Sequence, residues 1–164
     1  MIGAVGEKSE NFLSLEMDIL NERSVSEAIQ KTLAAFGEIN VIVNNASYGQ
    51  MGTLEELSDR EARRNFDVNV FGVLNVIRSV MPHLRAQGSR QVFNISSIGG
   101  YTANFPGAGI YCATKFAVAG LTESLAAEAK AFGINVSVVY PGYLPHRFFV
   151  EGFDGHARKS DCRI

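Results

Sequence analysis

Four apolar runs, each halted by polar or turn residues, alternate along this chain with stretches of helical periodicity, and that alternation limits the folds open to it. Phe12–Met17 stops at Asp18, and Ile39–Val43 stops at Asn44, Asn45, Ala46 and Ser47. Gln91–Ser96 runs into Ser97 and a glycine-rich loop, and Asn135–Tyr140 stops at Pro141 and Gly142. Near-continuous apolar runs of this length are those of strands covered on both faces. The pattern predicts strands over 12–17, 39–43, 91–96 and 135–140.

Helices fill the intervals. Ser24 with Glu27 has the spacing of a capping box, and Val25, Ile29, Leu33 and Phe36 carry an apolar stripe to Gly37. Ser58 with Glu61 repeats the signature ahead of a long helix ended by Gly88. Its broad apolar face holds Phe66, Val70, Val73, Leu74, Ile77, Met81 and Leu84, and reads as core or subunit contact. A last helix is expected from Tyr111 to Phe132. Strands and helices in alternation give an α/β fold, a parallel sheet with flanking helices. Residues 1–150 form one domain in this reading, and 151–164 form an irregular polar tail.

Composition narrows the function. With 164 residues, 46% of them hydrophobic and 20% charged, the chain can bury a core of ordinary globular size. A net charge of -2 with no basic stripe gives no support for a nucleic-acid partner. The first residues include Glu7 and Glu10 and lack the apolar centre of a signal peptide, and no apolar run approaches the length of a membrane span. Two cysteines, Cys112 and Cys162, are too few for a disulfide framework or a metal cluster, so a cytoplasmic setting without a metal site is expected. His83 and His156 read as surface residues.

In an open parallel sheet, ligands sit outside the carboxyl ends of the strands. The residues that halt the four runs gather on that edge. Tyr111 and Lys115, four apart, share one face of a helix, and the glycine-rich loop can bring Ser97 to the same side. An ammonium beside a phenol favours the phenolate, which is expected to lower the Tyr111 pKa from its usual value of about 10 and suit it to proton exchange. Taken singly, the same spacing also describes an ordinary amphipathic helix with a surface lysine.

As a set, the motifs resemble those of the short-chain dehydrogenase/reductase family. They are LEMD with Asp18, NNAS at Asn44–Ser47, FDVNVFG with Asn69, NISS with Ser97, YCATK with Tyr111 and Lys115, and YPG ending at Gly142. They stand in the family's order and span Phe12 to Phe149. The resemblance implies a partial doubly wound, Rossmann-like sheet. It also implies hydride exchange between NADP (slightly favoured) or NAD and a small-molecule secondary alcohol or ketone.

It further implies a role for each matched residue. Tyr111 would be the general acid/base, Ser97 would hydrogen-bond the substrate oxygen, and Lys115 would lower the Tyr111 pKa and hold the nicotinamide ribose. Asn69 would fix a water in a proton relay to Lys115. Asp18 would meet the adenine, and Asn45 and Ala46 would line the adenosine side. Gly142 and Leu144 would follow the turn to the nicotinamide amide, with His146 where a threonine usually grips it. A homo-oligomer through the long helices is also implied. At this stage Asp18 equally suits a strand-to-helix turn, and Asn69 and Ser97 equally suit hydrogen bonds to neighbouring backbone.

Several departures shape the expectations. The glycine-rich turn that opens the family's fold has no counterpart, because no strand leads into Gly3 or Gly6. In the strand order 3-2-1-4-5-6, Phe12–Met17 would lie two strands away from Ile39–Val43. That leaves Ile39–Val43 an open edge unless Phe12–Met17 pairs with it, and an exposed apolar edge predicts self-association. Ser47 replaces the family's usual glycine, and a slightly long loop between Ser97 and Tyr111 predicts a displaced Ser97. A second reading therefore stands beside the oxidoreductase: a truncated, catalytically inactive relative acting as an interaction module.

Overall fold

Three parallel strands form the sheet: β1 (Val41–Asn44), β2 (Gln91–Ile95) and β3 (Asn135–Val139), in spatial order β1-β2-β3. The computed structural model describes residues 11–142; Gly3, Gly6, Leu144, His146, His156, Cys162 and the 151–164 tail lie outside them. Val41 stands opposite Gln91, and Gln91 opposite Asn135, so the strands start in register and their carboxyl ends share one edge. The helices are α1 (Glu22–Phe36), α2 (Asp59–Phe66), α3 (Gly72–Gln87) and α4 (Gly109–Ala129). This is the partial α/β fold expected.

Local chemistry sets the helix ends. The capping box before α2 forms as predicted: the Ser58 hydroxyl accepts from the Glu61 backbone N–H, and the Glu61 carboxylate accepts from that of Ser58. Gly88 ends α3 at φ 66°, a left-handed conformation that glycine adopts without strain. The box expected at Ser24 does not form. Asn21, one turn earlier, caps α1 by accepting from the N–H groups of Arg23 and Ser24, while the Ser24 hydroxyl accepts from Asp18 N. The long helix after Ser58 is continuous but carries a π-helical turn at Asp67–Phe71, so α2 and α3 are offset around Asn69.

The core lies where α1, α3 and the end of α4 meet the sheet. Val25 and Ile29 of α1, Val80, Met81 and Leu84 of α3, Val92 of β2 and Leu125 of α4 are all buried there. Each such side chain contributes about 1.5–3 kcal/mol through the area it removes from water. Ile39 also joins this core, although it precedes β1 rather than opening it.

The segment predicted as a strand over 12–17 is irregular. It is held by Ile19 instead, whose side chain packs on Gly72 and whose carbonyl accepts from the buried Asn75 side chain at 2.8 Å. Alternating apolar residues do not make a strand without a ladder to join. Leu13, Leu15, Met17 and Ile19 face β1 across a cleft of about 390 Å³ without closing it. Among the described residues β1 therefore pairs with β2 on one side only, and Val41 and Val43 remain 52% and 57% exposed.

Candidate active site

Lys115 is the most constrained side chain of the site. It is 2% exposed, reaches under the sheet's carboxyl edge, and donates from Nζ to the Ile95 carbonyl and to the Ser47 hydroxyl, each at 3.0 Å. Its backbone is pinned as well, because the Ser96 hydroxyl donates to the Lys115 carbonyl at 2.8 Å. That contact brings the loop after β2 tight against α4. A Cβ on Gly100 would lie 2.6 Å from the Lys115 carbonyl oxygen and 2.2 Å from Ser96 Oγ, so only glycine fits there.

Tyr111, one turn before Lys115, is half-buried, and the ammonium sits 5.7 Å from its ring centroid. Ser97 caps a short 3₁₀ turn, Ile98–Gly100, by accepting from Gly99 N at 3.2 Å. Its hydroxyl and the Tyr111 ring flank Gly99, 3.7 and 3.6 Å from the position a Cβ would take there. Pro141 assists, since its carbonyl accepts from Ile98 N and ties the turn after β3 to the Ser97 loop.

The electrostatics differ from the sequence expectation. Burial raises the Tyr111 pKa above its ordinary value, and the neighbouring Ser97 hydroxyl opposes this without overcoming it. The lowering expected from Lys115 is absent because burial weakens the cation itself, moving its pKa from 10.5 to about 8. At neutral pH the site therefore holds a protonated phenol beside an ammonium that is still mostly charged.

Asn69, buried in the π turn, is a clamp. Its amide donates to the Tyr48 carbonyl and the Thr114 hydroxyl and accepts from Tyr48 N, all at 3.0 Å. Both amide hydrogens are thus taken by protein. Asn65, one turn earlier and also fully buried, donates to the same Tyr48 carbonyl. The clamp fixes the loop that presents Ser47 to Lys115.

The remaining predicted residues are spread along the edge. Asp18 forms a turn into α1, its carboxylate accepting from Leu20 N at 3.0 Å, so its turn role is realised. Asn45 and Ala46 are exposed at the end of β1 and line the neighbouring cleft, apart from Tyr111 and Ser97. Gly142 is exposed at the end of the described residues. Five buried polar residues escaped the sequence reading: Asn65, Asn75, Asn94, Thr114 and Thr122. Thr114 links Asn69 to the Tyr111 carbonyl, and Asn94 links Asn44 on β1 to Thr122 on α4. A signal was present for Asn94, a polar residue in the middle of an apolar run.

Known proteins resemble the chain as a whole. Residues 1–151 match the family described as short chain dehydrogenase. An oxidoreductase of Schizosaccharomyces pombe is 36% identical over 142 residues, covering 87% of this chain and 60% of the relative. A 3-ketodihydrosphingosine reductase of Bacteroides thetaiotaomicron is 38% identical over 143 residues, covering 85% and 53%. A short-chain dehydrogenase/reductase of Burkholderia phymatum solved in complex with NAD superposes with a TM-score of 0.77 at 31% identity, over 81% of this chain and 48% of that one. The chain belongs to the short-chain dehydrogenase/reductase family, a family of nicotinamide-dependent oxidoreductases. It spans 60% or less of the length of these relatives. Among the described residues no helix is long and apolar enough to cross a membrane, and no cluster of metal-ligating side chains occurs.

Proposed function

We propose that the chain acts in hydride transfer between NADP or NAD and a secondary alcohol or ketone. One observation carries the reading: the Tyr111 ring has the Ser97 hydroxyl beside it across Gly99 and the buried Lys115 ammonium 5.7 Å from its centroid. The reductase from Bacteroides thetaiotaomicron, whose name specifies a keto substrate, favours the same direction of chemistry.

The residues suit a nicotinamide cofactor. An ammonium has three hydrogens, and two are placed on Ile95 and Ser47, which leaves one for a ribose hydroxyl. Asn45 and Ala46, exposed at the end of β1, are positioned to line the adenosine side, with Asp18, Gly142, Leu144 and His146 as further contacts. The cofactor, when bound, supplies or accepts the hydride. In the reducing direction Tyr111 releases its phenolic proton to the substrate oxygen, and the raised pKa keeps that proton in place until the transfer. Ser97 holds the same oxygen as charge develops on it. Lys115 offsets the phenolate formed, and Asn69 keeps the Tyr48 loop, hence Ser47, in register with it.

Self-association belongs to the proposal, through α3 and α4, the latter exposing Phe116, and through the open edge at β1. So does a cytoplasmic setting, which the low cysteine content favours. The test is a fluorescence titration of the purified chain with NADPH and then NADH. Saturable binding in the micromolar range is expected from this reading. No binding at millimolar cofactor would overturn it and favour the interaction module.

A further inference from the structure

The structure puts the hydroxyl of the exposed Ser47 against the buried Lys115 ammonium. We propose that Ser47 is a positioning residue for the reaction, holding Lys115 in its charged form and exchanging its proton with solvent. The proposal rests on the oxidoreductase reading for its purpose, but its geometry stands apart from cofactor and substrate.

Three observations carry it. Nζ donates to Ser47 Oγ at 3.0 Å, and Ser47 is exposed while Lys115 is 2% exposed, so one hydroxyl joins a buried cation to water. The other partner of Nζ, the Ile95 carbonyl, accepts and cannot donate, so it takes no part in proton exchange. The Asn69 side-chain amide is already engaged, both of its hydrogens being on Tyr48 and Thr114. A hydroxyl both accepts and donates. It accepts from the ammonium at rest. When Nζ loses its proton to Oγ, the hydroxyl's own hydrogen passes to water, and reversal of the same two transfers restores the ammonium.

The loop is built to hold this contact. Asn65 and Asn69 both donate to the Tyr48 carbonyl, and Asn69 accepts from Tyr48 N, which fixes the residue next to Ser47 from two turns of the same helix. Around Nζ, Tyr111 of α4 is the titratable group that faces it, while β2 and the loop offer a carbonyl and a hydroxyl. No charged side chain among the described residues moves its titration; burial alone brings it to about 8. Loss of an acceptor for the charged form should therefore be visible directly.

The experiment is ¹⁵N-lysine NMR titration of Lys115 in the resting chain, with Ser47→Ala, Ser47→Gly and Ser47→Thr. Alanine and glycine are expected to lower the Lys115 pKa by about half a unit to one unit and threonine to restore it, the upper figure being what one hydrogen bond to an exposed hydroxyl supports. The pH profile of turnover should move by the same amount in the same variants. A Lys115 titration unmoved by alanine and glycine overturns the proposal, even where turnover falls, since that would mark a structural role only. Absence of turnover in every chain, with the NMR shift intact, would overturn the oxidoreductase reading and leave the Ser47–Lys115 coupling standing. The glycine variant keeps the test valid if alanine disturbs the loop.

Discussion

The ground beneath α4 and the ground beside β1 are built from equally apolar sequence, yet they end in opposite conditions. Beneath α4, Asn94, Thr114, Lys115 and Thr122 are all at most 2% exposed, and every one has protein partners for its side chain. Beside β1, Val41 and Val43 stand more than half exposed, and four apolar side chains of the 13–19 segment face them across an open cleft. Polar groups can be buried deeply where partners are fixed from several elements at once. Apolar groups stay exposed where no ladder closes over them. The proposed proton donor, Tyr111, stands beside the first region, next to the buried Lys115.

The sharpest way to break that contrast is Tyr111→Phe. It removes the phenolic proton while leaving the ring beside Gly99. Turnover is expected to fall about 10²–10⁴-fold, the usual worth of a positioned acid/base group, with cofactor affinity unchanged. Steady-state kinetics beside a binding titration read both quantities. Turnover that persists at the wild-type rate would mean another group supplies the proton.

Lys115→Met comes next, and it separates function from stability. The lysine pKa is 10.5 when free and about 8 in the fold, a gap of 2.5 units. That gap corresponds to about 3 kcal/mol of penalty at pH 7, before the hydrogen bonds lost on substitution are deducted. Between pH 8 and 10.5 the unfolded chain holds more protons at this site than the folded one, so wild-type stability rises with pH across that window. The variant is therefore expected to be inactive, yet more stable than wild type at pH 7 by about 1–3 kcal/mol in urea denaturation. Its advantage should shrink as the pH passes from 8 to 10.5. An advantage that does not change with pH would show that Lys115 is not held against a burial penalty.

The two regions were also unequally legible. β2 and β3 could be read because their apolar runs end in unmistakable turn chemistry at Ser96-Ser97 and Pro141-Gly142. Tyr111 and Lys115 share a face by helical spacing alone, and the structure keeps them together. The Tyr111 pKa was misread, because its direction depends on burial, which no local pair reports. Phe12–Met17 met every local condition for a strand and still formed none, since a strand is a property of two segments. Ser24 lost its cap role to Asn21, whose side chain reaches the first free N–H groups a turn earlier. The π turn at Asp67–Phe71 left no mark in residue type, so Asn69 was found by its motif and not by its geometry.

Val43→Lys carries the smallest expected change in stability and tests the open side of the comparison. Val43 is 57% exposed on the strand edge, so its replacement removes little buried area, and the fold should shift by no more than about 0.5 kcal/mol. Its effect should appear in association instead. A charged side chain on an apolar edge opposes pairing with another chain, because that pairing would bury the ammonium without a partner. Light scattering across a concentration series is expected to show the wild type associating and the variant associating less. A wild type that stays monomeric at high micromolar concentration would mean that an exposed edge of four residues is too short to template pairing. Association that the substitution leaves untouched would place the contact on α3 and α4, and β1 would then be open without being adhesive.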